Sequence, residues 1–297
     1  MKARVFIERL LIVSMLCLFT QFSNAASSVW KVSKDGYELY LGGTIHLLRA
    51  EDYPLPVEFN FVYQRASKLI FETDLAQLMD PAVQQRMQQA LMYQDGTTLK
   101  QKVSAGVYAQ ISEKWQAAGM PPTLLDIFRP GGVVMTLTLV ELKSAGVNAE
   151  GIDMHFFQRA SQDNKSVAGL ESVEKQIEYL ARMGEGVEDE FMRQSLIELE
   201  QSSSFMGELV AAWRSGDQDA LEQMIISDMR TQFPKIYASL LVERNLLWMP
   251  QIKQMLKDRQ TELVLVGMGH LVGPDGLLQK LLAQGYQIEQ VRVSLSN

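Results

Sequence analysis

Apolar residues follow a strand-like pattern only near the two ends of the chain. Short runs that alternate with polar residues, or that are continuously apolar and bounded by glycine or polar residues, are typical of strands. The first such run leads into Gly42-Gly43, which marks its end. The runs fall at residues 37–41, 68–72, 262–266 and 288–293.

Between these runs the apolar positions recur every three or four residues, which predicts amphipathic helices. A long helix is predicted over residues 192–213, and Gly216 marks its end because glycine favours helix C-termini. A second covers residues 236–248, with a bend expected near Pro250. A short helix is predicted at residues 276–282.

The predicted fold class is α/β, with α+β as the alternative. Strands from both ends of the chain are expected to share one mixed central sheet, with the helices between them as a large insertion. No Ser/Gly linker, charge block or low-complexity stretch marks a boundary. Residues 26–297 are therefore predicted to form a single domain, which is long enough to bury a sizeable core.

Residues 1–25 have the pattern of a cleavable signal peptide. Basic residues precede an apolar run at residues 10–19, which is too short to span a bilayer because spanning needs about 20 apolar residues. The small residues Ser23 and Ala25 predict cleavage after Ala25. We therefore expect a periplasmic or secreted protein without a stable membrane anchor. A lipoprotein signal at Cys17 and an uncleaved anchor are the alternatives, and the bulky Met15 and Leu16 speak against the first.

Charge and cysteine content narrow the possible partners and ligands. Asp and Glu outnumber Lys and Arg by 35 to 28, and the leader itself is basic, so the remainder is more acidic than the whole chain. Nucleic acids and anionic membranes select basic surfaces, so neither is expected as a partner. Cys17 is the one cysteine and lies in the leader. A metal ion in the mature protein would therefore depend on His, Asp or Glu.

Two Gly-x-x-His segments, residues 43–46 and 267–270, follow predicted strands at opposite ends of the chain. Ligands of open α/β sheets bind at the carboxyl ends of the strands, so both imidazoles are expected at such a crevice. Glu72 ends another predicted strand in the same way. A single histidine often only caps a buried turn, but two in equivalent positions favour a functional site.

Two imidazoles and a carboxylate suit two kinds of chemistry. His46, Glu72 and His270 are ligands that zinc, manganese or cobalt accept while leaving room for a bound water. Without a metal, one histidine would act as general base, oriented by Glu72. The residues alone leave both possibilities open.

Together with the segments Gly151-Ile152-Asp153 and Glu243-Arg244-Asn245 and the ending at residues 267–276, these motifs resemble the TraB/GumN family. That family includes the Tiki proteins, metal-dependent peptidases that act on Wnt ligands, and is distantly similar in fold to the erythromycin esterases. The resemblance covers residues 29–293. It implies that His46, Glu72 and His270 form the active centre and that Arg244 and Asn245 line it.

The expected function is that of an exported, divalent-metal-dependent, peptidase-like hydrolase of a peptide or small-molecule substrate. Arg244 is expected to hold a substrate carboxylate or a developing oxyanion, and Asn245 to donate a hydrogen bond. A metal-free, esterase-like hydrolase with His46 as general base is one alternative, and a non-catalytic exported binding or scaffold protein is the other. For Asp153 and Glu171 the sequence allows two roles, a side chain in the site or an acid that stabilises the start of a helix. His155 is expected to be structural.

Overall fold

The structure is a computed structural model, and it describes residues 26–147 and 149–293. The predictions for the leader, residues 1–25, therefore lie outside the described residues. Within these ranges the strands are β1 (Ala26–Lys34), β2 (Tyr37–Thr44), β3 (Leu47–Leu48), β4 (Lys68–Thr73), β5 (Ala149–Glu150), β6 (Ser166–Glu171), β7 (Glu262–Gly267) and β8 (Gln287–Arg292).

Most of the chain between the strands is helical. They are α1 (Val57–Arg65), α2 (Leu75–Leu78), α3 (Pro81–Ala90), α4 (Leu99–Lys102), α5 (Ala105–Ala117), α6 (Pro122–Leu125), α7 (Pro130–Ser144), α8 (Ile152–Gln162), α9 (Val173–Ala181), α10 (Glu188–Ser215), α11 (Gln218–Ile225), α12 (Ser227–Gln232), α13 (Pro234–Tyr237), α14 (Glu243–Met255), α15 (Met268–Leu271) and α16 (Leu277–Leu282). A π-helical segment, Ala238–Val242, joins α13 to α14. No helix in the described part of the chain is long and apolar enough to cross a bilayer.

Six strands form one mixed sheet in the order β6-β4-β7-β2-β1-β8. Strands β6, β4, β7 and β2 are parallel, whereas β1 is antiparallel to both of its neighbours. The α/β prediction, with one sheet built from both ends of the chain, is confirmed. The helical insertion departs from the prediction in one respect, because it contributes the edge strand β6.

Strand β1 is not predicted from the sequence, because serine and lysine interrupt its apolar pattern. Ser27 and Ser28 are nevertheless buried, as are Trp30 and Val32. The Ser28 hydroxyl donates a hydrogen bond to the carbonyl of Trp213, at 2.7 Å, so burial does not leave it unpaired.

Adjacent glycines of β2 face opposite layers of the molecule. A Cβ on Gly42 would lie 2.7 Å from Leu265 and 3.2 Å from Phe59 of α1, whereas one on Gly43 would lie 2.3 Å from Met268 of α15. Successive strand residues point to opposite faces, so α1 and α15 cover opposite sides of the sheet. The two glycines let both layers pack closely where β2 ends.

The long predicted helices are present with one irregularity. Helix α10 ends at Gly216, which has a left-handed φ of 62° as expected for a glycine C-cap. The second predicted helix is divided by the π segment before α14. Pro250 lies inside α14, which continues to Met255.

Candidate active site

The carboxyl ends of the four parallel strands bring the predicted residues together at one edge of the sheet. Glu72 is the penultimate residue of β4 and Glu171 is the last of β6. His46 follows the end of β2, and His270 follows the end of β7. The expectation that the strands ending at Gly43, Glu72 and Gly267 lie side by side in one sheet is confirmed.

Gly267 lies at the point where these side chains converge. A Cβ placed on Gly267 would be 3.0 Å from Glu72 Oε1 and 3.6 Å from His46 Nε2. The Cδ2 atom of His270 would be 3.8 Å from the same point. The backbone φ of Gly267 is −50°, which other residues also adopt. Glycine is therefore required here for space rather than for conformation.

His46 is paired with Asp153. Its Nδ1 lies 2.9 Å from Asp153 Oδ2, and 68% of the His46 side chain is exposed, against 14% of the Asp153 side chain. The Asp153 carboxylate raises the pKa of His46 to about 9. With Nδ1 engaged, Nε2 is the atom of His46 that remains available beside Gly267.

Gly151 allows Asp153 to reach His46. A Cβ on Gly151 would lie 2.1 Å from the carbonyl oxygen of His46 and 2.5 Å from that of Ile45. The Ile152 N–H donates to the Ile45 carbonyl at 3.1 Å, so the start of α8 is bound directly to the loop after β2. Asp153 lies in the first turn of this helix. In the Gly-Ile-Asp segment, Gly151 therefore permits the close approach, the buried Ile152 binds the loop after β2, and Asp153 supplies the carboxylate.

Glu72 is buried and ionised. Its Oε2 accepts a hydrogen bond from Arg244 Nη2 at 2.6 Å, and its Oε1 accepts one from the Gly267 N–H at 2.7 Å. Burial opposes the charge, but the cations Arg244 and His46 and the hydrogen bond from the Gly267 N–H lower the pKa of Glu72 well below its usual value. Glu72 is therefore a carboxylate held in one orientation.

Arg244 has a hydrogen-bond acceptor for each of its five N–H groups. Nε lies 3.1 Å from both carboxylate oxygens of Glu171, and Nη2 donates to Glu171 Oε1 and to Glu72 Oε2, each at 2.6 Å. Nη1 donates to the Leu240 carbonyl at 3.2 Å and to His270 Nε2 at 3.0 Å. In this arrangement Arg244 orients other site residues and has no donor left for a substrate.

The contact with Arg244 fixes the tautomer of His270. A guanidinium can only donate, so His270 Nε2 accepts and Nδ1 carries the proton. Nδ1 then donates to Asn245 Oδ1 at 2.8 Å. The Asn245 amide nitrogen donates to the carbonyls of His270 and Asp275, at 3.1 and 2.9 Å, which fixes the amide orientation. Asn245 thus contacts the site through His270. Burial lowers the pKa of His270 to about 3, so it is neutral.

Two residues whose roles the sequence left open contact the site, and one does not. Asp153 binds His46, and Glu171 binds Arg244. Burial raises the pKa of Glu171, although Arg244 opposes this effect. His155 instead packs against Tyr53 and Phe156. Burial lowers the pKa of His155.

The predicted metal ligands do not fit a zinc, manganese or cobalt ion as they are arranged here. A ligating imidazole needs a free lone pair, whereas His270 Nε2 accepts from Arg244 and Nδ1 is protonated. Both Glu72 oxygens also accept hydrogen bonds. Within residues 26–147 and 149–293, no three His, Cys, Asp or Glu side chains form a group that could hold a metal ion. Metal binding by His46, Glu72 and His270 thus stays a prediction that this geometry does not favour.

A model of the TraB/PrgY/gumN family matches residues 28–290, which is nearly the whole described chain. The chain belongs to the TraB/PrgY/gumN family. No curated protein and no solved structure matches it significantly.

Proposed function

We propose that this protein is an exported hydrolase in which His46 acts as general base on a water molecule, without a metal ion. The observation that carries the proposal is the pairing of His46 Nδ1 with Asp153, which leaves Nε2 facing the space above Gly267, where it accepts a proton once the ring is deprotonated. A general base needs this arrangement, with one ring nitrogen held by a carboxylate and the other facing the reaction space.

The Glu72 carboxylate borders the same space. Its Oε1 lies 3.0 Å from the Cβ position of Gly267, and His46 Nε2 lies 3.6 Å from the same position. A water molecule there would donate one proton to His46 Nε2 and the other, as a hydrogen bond, to Glu72 Oε1. Both O–H bonds of the water would then be directed before attack.

The proposed reaction is hydrolysis of an ester or peptide carbonyl. The water oxygen forms a bond to the carbonyl carbon while one water proton passes to His46 Nε2. When the bond to the leaving oxygen or nitrogen breaks, His46 returns the proton to that atom. Arg244, Asn245 and Glu171 act in this scheme as positioning residues that hold Glu72 and His270.

Export forms the second part of the proposal. It rests on the basic, apolar and small-residue segments of residues 1–25, with cleavage before Ala26. Terminal sequencing of protein recovered from the periplasm or medium tests it. A first residue of Ala26 supports export, whereas full-length protein in washed membranes contradicts it.

A non-catalytic binding or scaffold function is the second candidate. The observation that favours it is the complete internal hydrogen bonding of Arg244 and Glu72, which is also what a purely structural charge cluster would show. A purely structural cluster does not explain why His46, with 68% of its side chain exposed, is paired with Asp153.

One assay separates the two candidates. Purified protein is tested against a panel of p-nitrophenyl esters and fluorogenic peptides, alongside His46→Ala and the control His155→Ala. Loss of a general base typically lowers the rate by about 10²- to 10⁴-fold. We expect such a loss in His46→Ala and near-normal turnover in His155→Ala. Equal rates for wild type and His46→Ala would contradict the proposed role of His46, and no turnover on any substrate would favour the binding function.

A further inference from the structure

We infer that Arg244 is the resident cation of this site: its guanidinium occupies the position that a divalent metal would need and thereby keeps metal ions out. The inference concerns the metal-free part of the proposed function. Its test measures metal binding rather than hydrolysis, so the two can fail separately.

The first observation is the convergence of acidic and imidazole groups on one guanidinium. Glu72 Oε2 and Glu171 Oε1 each lie 2.6 Å from Arg244 Nη2, and His270 Nε2 lies 3.0 Å from Nη1. Carboxylate oxygens and a neutral imidazole nitrogen are also the ligand types that zinc, manganese and cobalt accept. Two of the three predicted metal ligands, Glu72 and His270, therefore already bind a positive charge that belongs to the chain, and Glu171 binds it as well.

The second observation is the burial of this cluster. The Glu72, Glu171 and Arg244 side chains are exposed by 9%, 7% and 8% respectively. Buried carboxylates need a partner of opposite charge and hydrogen bonds, and the planar guanidinium supplies both. A metal ion could take this position only after the guanidinium had left it.

Aromatic rings enclose the guanidinium further. The Arg244 Cζ atom lies 4.7 Å from the centre of the Trp248 ring and 5.6 Å from that of Tyr179. Such faces stabilise a guanidinium through cation–π contact. They offer no lone pair to a metal ion. The surroundings of Arg244 are thus built for an organic cation.

The spacing of the acceptors matches this interpretation. His270 accepts from Nη1, Glu72 from Nη2, and Glu171 from both Nε and Nη2, so the acceptors are spread over the whole guanidinium, which is wider than a metal ion. No metal-binding group occurs in the described part of the chain. Removal of the Arg244 side chain would leave Glu72, Glu171 and His270 around a space that they could close on an ion. A metal site is therefore expected to appear when Arg244 is shortened.

The test is a cobalt(II) titration followed by visible absorption, using metal-stripped protein. The variants are Arg244→Ala, Arg244→Lys as the charge-retaining control, and the double variant Arg244→Ala/His270→Ala. We expect Arg244→Ala to bind one equivalent of cobalt, at least about tenfold more tightly than wild type, by analogy with the 10- to 100-fold effects of outer residues on metal sites. Arg244→Lys and the double variant should resemble wild type.

Two results would overturn the inference. One is stoichiometric cobalt binding by wild-type protein that disappears in His270→Ala. The other is a folded Arg244→Ala variant, judged by circular dichroism, that binds cobalt no better than wild type. If Arg244→Ala does not fold, Arg244→Gln keeps more of the side-chain volume and replaces it. The comparison of wild type with His270→Ala needs no change at Arg244: stoichiometric cobalt binding that depends on His270 contradicts the inference, and its absence from the wild type supports it.

Discussion

The Nη1 atom of Arg244 lies 3.0 Å from Nε2 of His270, so a guanidinium donates to the nitrogen that a metal would bind. His270 is thereby held as the neutral tautomer with its proton on Nδ1, and Asn245 accepts that proton in a hydrogen bond. His46, at the other Gly-x-x-His segment, is instead exposed and paired with a carboxylate. Two equivalent sequence motifs therefore hold histidines with different chemistry.

This difference predicts three distinct imidazole titrations. The chain has three histidines, and ¹⁵N-edited NMR can follow each, with assignment by single substitution. We expect His270 to stay neutral and Nδ1-protonated down to about pH 3, because its burial lowers the pKa. The pKa of His155 should lie below its usual value, and that of His46 should be raised, to about 9. Protonation of His270 near pH 6.5 would contradict the assignment of its Nε2 as an acceptor.

Asp153→Asn should lower the pKa of His46, because the carboxylate is the main cause of its raised value. A general base works when deprotonated, so kcat/KM of the wild type should rise with pH toward about 9. In Asp153→Asn the rise should move toward about pH 6.5, the usual histidine value, and the limiting rate should fall because the ring is less firmly oriented. A pH–rate profile checks this. If kcat/KM of the variant rises over the same pH range as that of the wild type, another group is the base.

Gly267→Ala should abolish activity while preserving the fold. The added Cβ would lie 3.0 Å from Glu72 Oε1 and would occupy the space proposed for water, but the backbone conformation suits alanine. Gly106→Ala is the matched control, because no atom lies within 4 Å of its Cβ position and the residue is helical. That change should not destabilise the protein, because alanine favours the helix more than glycine does. Activity and urea unfolding measure both effects, and normal turnover by Gly267→Ala would disprove the proposed position of the water.

Arg244→Met should destabilise the protein strongly at neutral pH. Removal of one partner from a buried ion pair costs about 3–5 kcal/mol, because Glu72 and Glu171 lose their cation. Their pKa values in the folded variant should then exceed the unfolded ones, so the variant should lose stability as pH rises through that range. The control Arg182→Met removes exposed ion pairs with Glu178 and Glu185, which solvent screens, and should change stability only slightly. Equal, small effects of both changes would contradict the account of Arg244 as a buried counter-ion.

The sequence was sufficient to bring His46, Glu72 and His270 together, because each follows or ends a strand whose carboxyl end opens onto the same edge of a sheet. The sequence also predicted the central sheet, except for strand β1 and the position of β6 at the edge of the sheet. Apolar and glycine patterns report burial and strand ends directly. They are local signals, and each could be recognised without knowledge of the partner.

The pairings of Asp153 and Glu171 could not be predicted in this way. An acid in the first turn of a helix looks the same whether it caps that helix or reaches a histidine 107 positions away. The available signal was Gly151, whose lack of a side chain permits the approach, but its meaning depends on the neighbouring loop. Arg244 presented the same difficulty, because its saturation by internal acceptors follows from the packing of β4, β6 and α14.

The most direct test of the central claim is the hydrolysis rate of the wild-type protein before and after exhaustive chelation, on a substrate found in the panel above. Because His46 is paired with Asp153 and Arg244 supplies the positive charge, we predict the same kcat/KM after metal removal and no increase when zinc, manganese or cobalt is added. A loss of activity on chelation that any of these ions restores would contradict the account.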